Sequence, residues 1–226
     1  MRKGSWQGLF FSLKWILSCY LKKGHGDFLE HYFTNNSRLK SEVRTIKFEN
    51  KGHVFTFFSD LGVFSKDKID YGSRLLLEGI QKNRDTASSI LDVGCGYGFL
   101  GIVLSKTYDA HVTMTDVNKR ALHLCERNIK ENKVSGEQIE SNIYENVTGT
   151  YDLIVTNPPI RAGKEVVKSI LVGAKEHLNK DGDLWFVIHK DQGAKSMAKS
   201  LSDIYNIEVV LKDKGFYVFR AKIYWH

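Results

Sequence analysis

The sequence predicts an α/β fold built on a doubly wound, mostly parallel sheet. One antiparallel strand is expected in a C-terminal hairpin, and a β-hairpin and a helix precede the sheet. Three observations carry that reading. From residue 88 onward, apolar runs of strand length alternate with segments of helical periodicity, the pattern of a parallel sheet with right-handed crossovers. A glycine-rich stretch, Asp92-Val93-Gly94-Cys95-Gly96-Tyr97-Gly98, falls where the first of those strands turns into a helix. The chain closes with two strand-like runs around Lys214-Gly215, a hairpin signal.

Taken in order, residues 1–28 form an amphipathic extension. Trp6, Leu9, Phe10, Leu13, Ile16, Leu17, Tyr20 and Leu21 recur at helical spacing. The run is shorter than the ~20 apolar residues a bilayer requires, and Lys14 interrupts it, so no membrane partner is expected. Ile16-Leu17-Ser18-Cys19 loosely resembles a lipoprotein cleavage box, but a helix packed on the domain is preferred. A third reading starts translation later, near Leu29; an intact mass matching residues 1–226 rules it out. Residues 29–226 read as one domain, with a basic hairpin and helix in 29–84 and the alternating core in 85–226. Val43–Phe48 and His53–Phe58 flank Asn50-Lys51-Gly52 as a hairpin. Phe64–Asp70 is a polar loop, and Ser73–Ile80 a helix with Leu75, Leu76, Leu77 and Ile80 apolar. In the core, Ser89–Val93 is a strand and Phe99–Ser105 a helix; Ala110–Thr115 is the second strand. Asn118 caps a helix whose inner face is Ala121, Leu122, Cys125 and Ile129. Gln138–Glu140 is a short strand and Tyr151–Thr156 a buried one. Lys164–Leu178 reads as a helix stopped by Gly182. Leu184–Ile188 is a strand, Ala194–Ile204 a helix, and Glu208–Leu211 with Tyr217–Ile223 the closing hairpin.

The composition is that of a soluble globular protein, 42% hydrophobic and 26% charged. Cys19, Cys95 and Cys125 lack CxxC spacing, which implies a reducing, cytoplasmic setting. The eight histidines are scattered, so no metal is expected. Residues 1–84 carry 15 Lys+Arg against 8 Asp+Glu, and the remainder carries 18 of each, so the whole excess of +7 lies in the first third. A one-sided basic segment attracts polyanions, nucleic acid among them, by phosphate neutralisation and counterion release; a surplus of solvated lysines is the plainer alternative.

Both prolines of the chain stand side by side in Asn157-Pro158-Pro159-Ile160, directly after the buried run Tyr151–Thr156. Proline fixes φ, donates no N–H, and pushes the preceding residue away from the helical region. The tetrad is therefore expected to be a rigid, extended ledge whose carbonyls and Asn157 amide have no internal partners. It lies at the sheet edge where open α/β folds bind ligands, and a row of acceptors suits an amino group. In the glycine stretch, Gly94, Cys95, Gly96 and Gly98 permit close backbone approach. A dinucleotide reading of Gly96–Gly101 is displaced by two residues from the strand end. Asp92 would repel a pyrophosphate and suits a ligand ammonium. Asp116, followed by Val117, ends the second strand, where an acid can take both ribose hydroxyls of an adenosine; a helix cap is the alternative. Asn142 and Ile143, after the third strand, are candidates to bracket an adenine.

The ordered set of DxGxGxG, an acid after strand two and NPPI after strand four resembles the Rossmann-like class I methyltransferases, in the branch that methylates amine or amide nitrogens. Gly62-Val63-Phe64-Ser65 and Ile69-Asp70-Tyr71-Gly72-Ser73-Arg74-Leu75-Leu76-Leu77 look like the small-subunit ribosomal RNA guanine-N(2) methyltransferases. His31-Tyr32-Phe33 and Lys212–Val218 fit the shorter bacterial members. The resemblance implies S-adenosyl-L-methionine as cofactor, held by Asp92, Gly94, Cys95, Gly96, Gly98, Asp116, Val117, Asn142, Ile143 and Asn157. It implies catalysis at Asn157, Pro158, Pro159 and Ile160, and ribosomal RNA or the small ribosomal subunit as partner. Phe64, Lys66, Lys68 and Arg161 are the candidate substrate contacts; Cys95 is a small turn residue rather than a nucleophile. The chain departs from the branch twice, with Ile160 where an aromatic often stacks on the target base and Asn142 where Asp is frequent. Three rival readings stand beside this one: a glutamine-amide methyltransferase acting on a release factor, an adenine-amine methyltransferase and a non-catalytic RNA-binding assembly factor.

Overall fold

The computed structural model describes residues 42–60, 63 and 68–224. Phe64, Lys66 and the extension expected over residues 1–28 lie outside them. In chain order the elements are β1 (Arg44–Asn50), β2 (His53–Ser59), α1 (Tyr71–Asn83), β3 (Ser89–Val93), α2 (Phe99–Tyr108), β4 (His111–Asp116) and α3 (Lys119–Asn132). There follow β5 (Gly136–Glu140), β6 (Tyr151–Thr156), α4 (Lys164–Gly173), β7 (Leu178–His189), α5 (Ala194–Ser200), β8 (Tyr205–Asp213) and β9 (Phe216–Ile223). Seven strands form one sheet in the order β5-β4-β3-β6-β7-β9-β8. β9 alone runs antiparallel to the strands on both sides of it, as the closing hairpin predicts. Neighbouring residues of the central strands alternate between two cores. Ile90, Leu153, Val155 and Trp185 pack with α1, α2 and α3, whereas Leu91, Ile154, Leu184 and Phe186 pack with α4 and α5.

β1 and β2 form a separate hairpin turned by Lys51 and Gly52, whose φ values are 46° and 79°. Positive φ at both turn residues matches the twist of the flanking strands. The outer edge of β2 finds no third strand. Instead Asn128 and Asn132 on α3 act as one: Asn128 Oδ1 accepts from Phe58 N (2.7 Å) and Asn132 Oδ1 from Thr56 N (3.0 Å). Their amide nitrogens donate back to the Phe58 and Thr56 carbonyls (3.0 and 2.9 Å). Buried Asp60 adds a two-bonded contact to Arg120 (2.9 and 2.6 Å). Deeper in the sheet, the fully buried Asp183 holds Arg84, at the end of α1, and Arg220 of β9, each at 2.7 Å.

Two boundaries correct the sequence reading. The helix expected over Lys164–Leu178 ends at Gly173, a 3-10 turn spans Ala174–His177, and Leu178 already pairs with Tyr151 as strand. Apolar spacing runs on through the tighter turn, so periodicity alone misses the change. Gly182 is thus no helix stop. It sits in β7 at a register irregularity, where a Cβ would lie 2.8 Å from the Tyr151 carbonyl. The helix expected over Ala194–Ile204 likewise ends at Ser200. Among the described residues, no helix is long and apolar enough to cross a membrane.

Candidate active site

The glycine stretch crosses the carboxyl ends of β3 and β4 and is tied down by backbone groups. Gly94 N and Cys95 N both donate to the Thr115 carbonyl (2.8 and 2.9 Å). Gly96 N donates to Asp116 Oδ2 (2.9 Å), while the other oxygen of that carboxylate takes Asn118 N (2.9 Å). Burial raises the Asp116 carboxyl above the usual range, opposed by the N–H groups of Asn118, Gly96 and Val117. The helix cap is Asn118, whose Oδ1 accepts from Arg120 N and Ala121 N (3.0 and 3.2 Å). Asp116 is thereby left at the strand end facing the loop. Gly98 starts α2 at φ 91°, and a Cβ on it would come within 2.8 Å of Cys125 Sγ, so glycine alone fits. Gly96 differs: a Cβ there would meet nothing within 4 Å, which leaves its outer side open to a ligand.

Asp92 lies beneath this loop, 1% exposed. Its Oδ2 accepts from Gly101 N (2.9 Å), and burial pushes its carboxyl up to about 7, with the Gly101 N–H pulling the other way. Cys95 is half-buried, and its thiol is held well above its usual range, first by a hydrogen bond with Cys125 and then by burial. A protonated thiol is a poor nucleophile. Past β5, Asn142 is exposed with its amide nitrogen on Glu145 (3.2 Å). Ile143 adopts φ 56°, a conformation that strains a β-branched residue. Ser141 Oγ, bonded to the Ile143 carbonyl (3.1 Å), holds it there. Strain of this kind collects at binding edges.

The tetrad follows β6. Thr156 Oγ1 donates to the Val93 carbonyl (2.8 Å), fastening the end of β6 to the end of β3. Asn157 Nδ2 donates to Asp70 Oδ2 and to Ser73 Oγ, both at 2.9 Å. The expectation of an amide without internal partners is therefore wrong for its nitrogen. A carboxylate only accepts, so Asp70 decides which way the amide faces, and Oδ1 turns away from α1. The extended ledge is also shorter than expected. The Pro159 carbonyl accepts from Ala162 N (2.9 Å) and that of Ile160 from Gly163 N (3.1 Å), because the chain turns into a 3-10 helix at Ile160–Ala162. Among the described residues, no hydrogen bond reaches Asn157 Oδ1 or the Pro158 carbonyl. These two acceptors are the usable ledge.

Asp70 and Ser73 are site residues that sequence reasoning missed. Asp70 also caps α1, accepting from Ser73 N at 2.9 Å. The cap is legible as Asp three residues before Ser; its reach to a strand end 87 residues away is not. Gly94 and Pro159 bring loop and tetrad together, since a Cβ on Gly94 would lie 3.9 Å from Pro159 Cδ. Lys68 and Arg161 are exposed. Among the described residues, no His, Cys, Asp and Glu group has the arrangement of a metal site.

Residues 54–220 match the methyltransferase small domain family. The chain is 42% identical over 198 residues to YbxB of Bacillus subtilis, an uncharacterized protein, covering 85% of this chain and 98% of that one. It is 36% identical over 157 residues to the ribosomal RNA small subunit methyltransferase C of Mannheimia succiniciproducens, covering 67% of this chain and 46% of the relative. The chain thus spans about half the length of the methyltransferase C relatives it matches. In solved structures the same fold occurs in the Thermus thermophilus 16S rRNA N2 G1207 methyltransferase (RsmC), determined with AdoMet and guanosine: TM-score 0.74, 24% identity, 82% of this chain and 52% of that one. The residues present fit S-adenosylmethionine: an open side at Gly96, a buried acid under the loop and a second acid at the end of β4. Loop, sheet order and sequence agree: the chain belongs to the methyltransferase small domain family.

Proposed function

We propose that this protein transfers a methyl group to the exocyclic amine of a guanine in small-subunit ribosomal RNA. One observation carries the reading: Asp70 and Ser73 both accept from the Asn157 amide nitrogen, so its oxygen is held away from α1 without a hydrogen-bond partner among the described residues, as is the next carbonyl along the chain, that of Pro158. Two acceptors so placed match the two N–H groups of an amine. Binding both aims the nitrogen lone pair and stabilises the positive charge that grows on it during attack. This is the inverse of an oxyanion hole, where a missing partner costs roughly 2.7–4 kcal/mol. Fixing both reactants in line supplies ~7–11 kcal/mol more. S-adenosylmethionine supplies the methyl carbon. No strong base is needed, because the methylated amine is acidic and sheds its proton readily. The guanine must be unpaired or extruded to reach the ledge. Support for RNA as substrate comes from the methyltransferase C relatives and from the basic first third of the chain.

The test is to incubate the protein with labelled S-adenosylmethionine and small ribosomal subunits from cells lacking its gene, then digest the RNA. Labelled N(2)-methylguanosine is the expected product. Label in another nucleoside overturns the guanine assignment. No label in RNA, with cofactor binding intact, redirects the same ledge to a glutamine amide of a release factor.

A further inference from the structure

The tetrad ends in Ile160, which has no π face. Nor is the Ile160 side chain on the relevant side of the sheet: it packs against the core beneath α4 and α5. Asn157 turns the other way, onto α1. A base held by Asn157 therefore needs a flat partner from the α1 side, and among the described residues an aromatic ring stands there. Phe216, the first residue of β9, borders the core shared with α1. It pairs with His189 at the end of β7. β7 runs beside β6 with Thr156 opposite Phe186. His189 lies three residues beyond Phe186, and the tetrad begins one residue beyond Thr156, so Phe216 stands at the same edge of the sheet as the tetrad.

The packing around Phe216 ties it to the catalytic amide. A Cβ on Gly72 would lie 3.2 Å from the Phe216 ring and 3.1 Å from Asp70 Oδ2, the oxygen that holds Asn157. A side chain at residue 72 would crowd both the ring and that carboxylate, and glycine leaves them their places. Tyr71 flanks Phe216 at 5.8 Å and His189 meets it edge-on at 4.8 Å. These contacts leave the ring only half-buried. Tyr71 is itself fixed by a hydrogen bond to Asp213 and by Lys214 Nζ, 4.6 Å from its ring centre. Exposed Lys212 lies on the ring of Tyr217, which packs on the other face of the sheet. An aromatic ring with a lysine close to its edge suits one unstacked base and a flanking phosphate.

We infer that Phe216 is the stacking platform for the target base and takes the place of the aromatic that the tetrad lacks. The inference rests on the ribosomal RNA reading above and names the residue that sets substrate affinity at that site. Stacking of a base on an aromatic changes affinity by roughly 5- to 150-fold on truncation.

The test compares the full-length protein with Phe216→Leu, which keeps an apolar side chain but loses the π face, and Phe216→Tyr, which keeps both. Substrate is the small subunit from cells lacking the gene; kcat/KM, cofactor affinity and thermal midpoint are read for each. The expected result is a loss of at least 5-fold in kcat/KM for Phe216→Leu, near-normal values for Phe216→Tyr, and unchanged cofactor affinity in both. Full activity of Phe216→Leu overturns the inference and leaves the ribosomal RNA reading standing. Equal loss in both variants, or loss that follows cofactor affinity or thermal midpoint, also overturns it, because packing would then account for the effect. A wild-type protein that labels no RNA overturns both.

Discussion

The two halves of the active-site edge are fastened by different means. On the cofactor side, neighbours in sequence hold one another: Gly96 N reaches Asp116 across 20 residues and Gly101 N reaches Asp92 across nine. The donors are backbone amides, so side-chain choice matters at few positions. On the substrate side the holding contacts run between side chains far apart in the chain. Asn157 reaches Asp70 and Ser73 across 87 and 84 residues, and Tyr71 reaches Asp213 across 142. The loop is thus a device of one strand-turn-helix and the end of the next strand, set by Gly98, Asp92 and Asp116. The ledge exists only once α1, β6 and the β8–β9 hairpin have come together.

Substitutions on the two sides should therefore fail differently. Asn157→Ala removes one of the two acceptors and is expected to lower kcat by about 10²–10³-fold with cofactor affinity retained, measured by label transfer and by calorimetric titration of S-adenosylmethionine. A variant that stays active would sink the proposed chemistry. Asp70→Ala leaves Asn157 in place but frees its amide to rotate. Misplacement of that order costs up to about 10² in rate, and loss of the helix cap costs about 1 kcal/mol of stability. A fall in stability without a fall in kcat would reduce Asp70 to a cap.

Asp92 separates the halves by pH. Its carboxyl titrates near 7 in the folded protein because it is buried, against ~3.9 in an unfolded chain. Between those values the folded state keeps a proton that the unfolded state has lost, so stability is full below about pH 4 and declines as pH rises toward 7. Asp92→Asn keeps an acceptor for Gly101 N and cannot ionise. Thermal unfolding at pH 5 and pH 8 should show the wild type losing roughly 5 °C more than the variant over that interval; parallel losses would mean the carboxyl ionises freely. The smallest effect is expected at the hairpin tip, where Lys212→Glu with Lys214→Glu should lower the salt slope of RNA binding by about one per lysine. An unchanged slope would place the RNA elsewhere.

The same contrast explains what could be read from the sequence. The glycine stretch, Asp116 and the tetrad announce themselves because each is a local pattern, and the mostly parallel sheet follows from strand–helix alternation. The Asp70–Asn157 bond was hidden because its partners share no local signal. The ends of α4 and α5 were hidden because apolar residues such as Ala174, Leu178 and Leu201 continue the helical spacing into a 3-10 turn, a strand and a loop. The ledge was overdrawn for a related reason: two prolines fix their own φ but not the fate of their carbonyls.

The asparagine pair on α3 bears on how the chain is made. β2 presents its outer edge to Asn128 and Asn132, which lie 70 and 76 residues further on. During synthesis at ~5–20 residues per second, that edge leaves the ribosome and waits roughly 4–14 seconds for its partners. In that interval the apolar run Val54–Phe58 is an uncapped template for pairing with another chain. Crowded polysomes, rather than the finished molecule, are where this hairpin is exposed to misassembly.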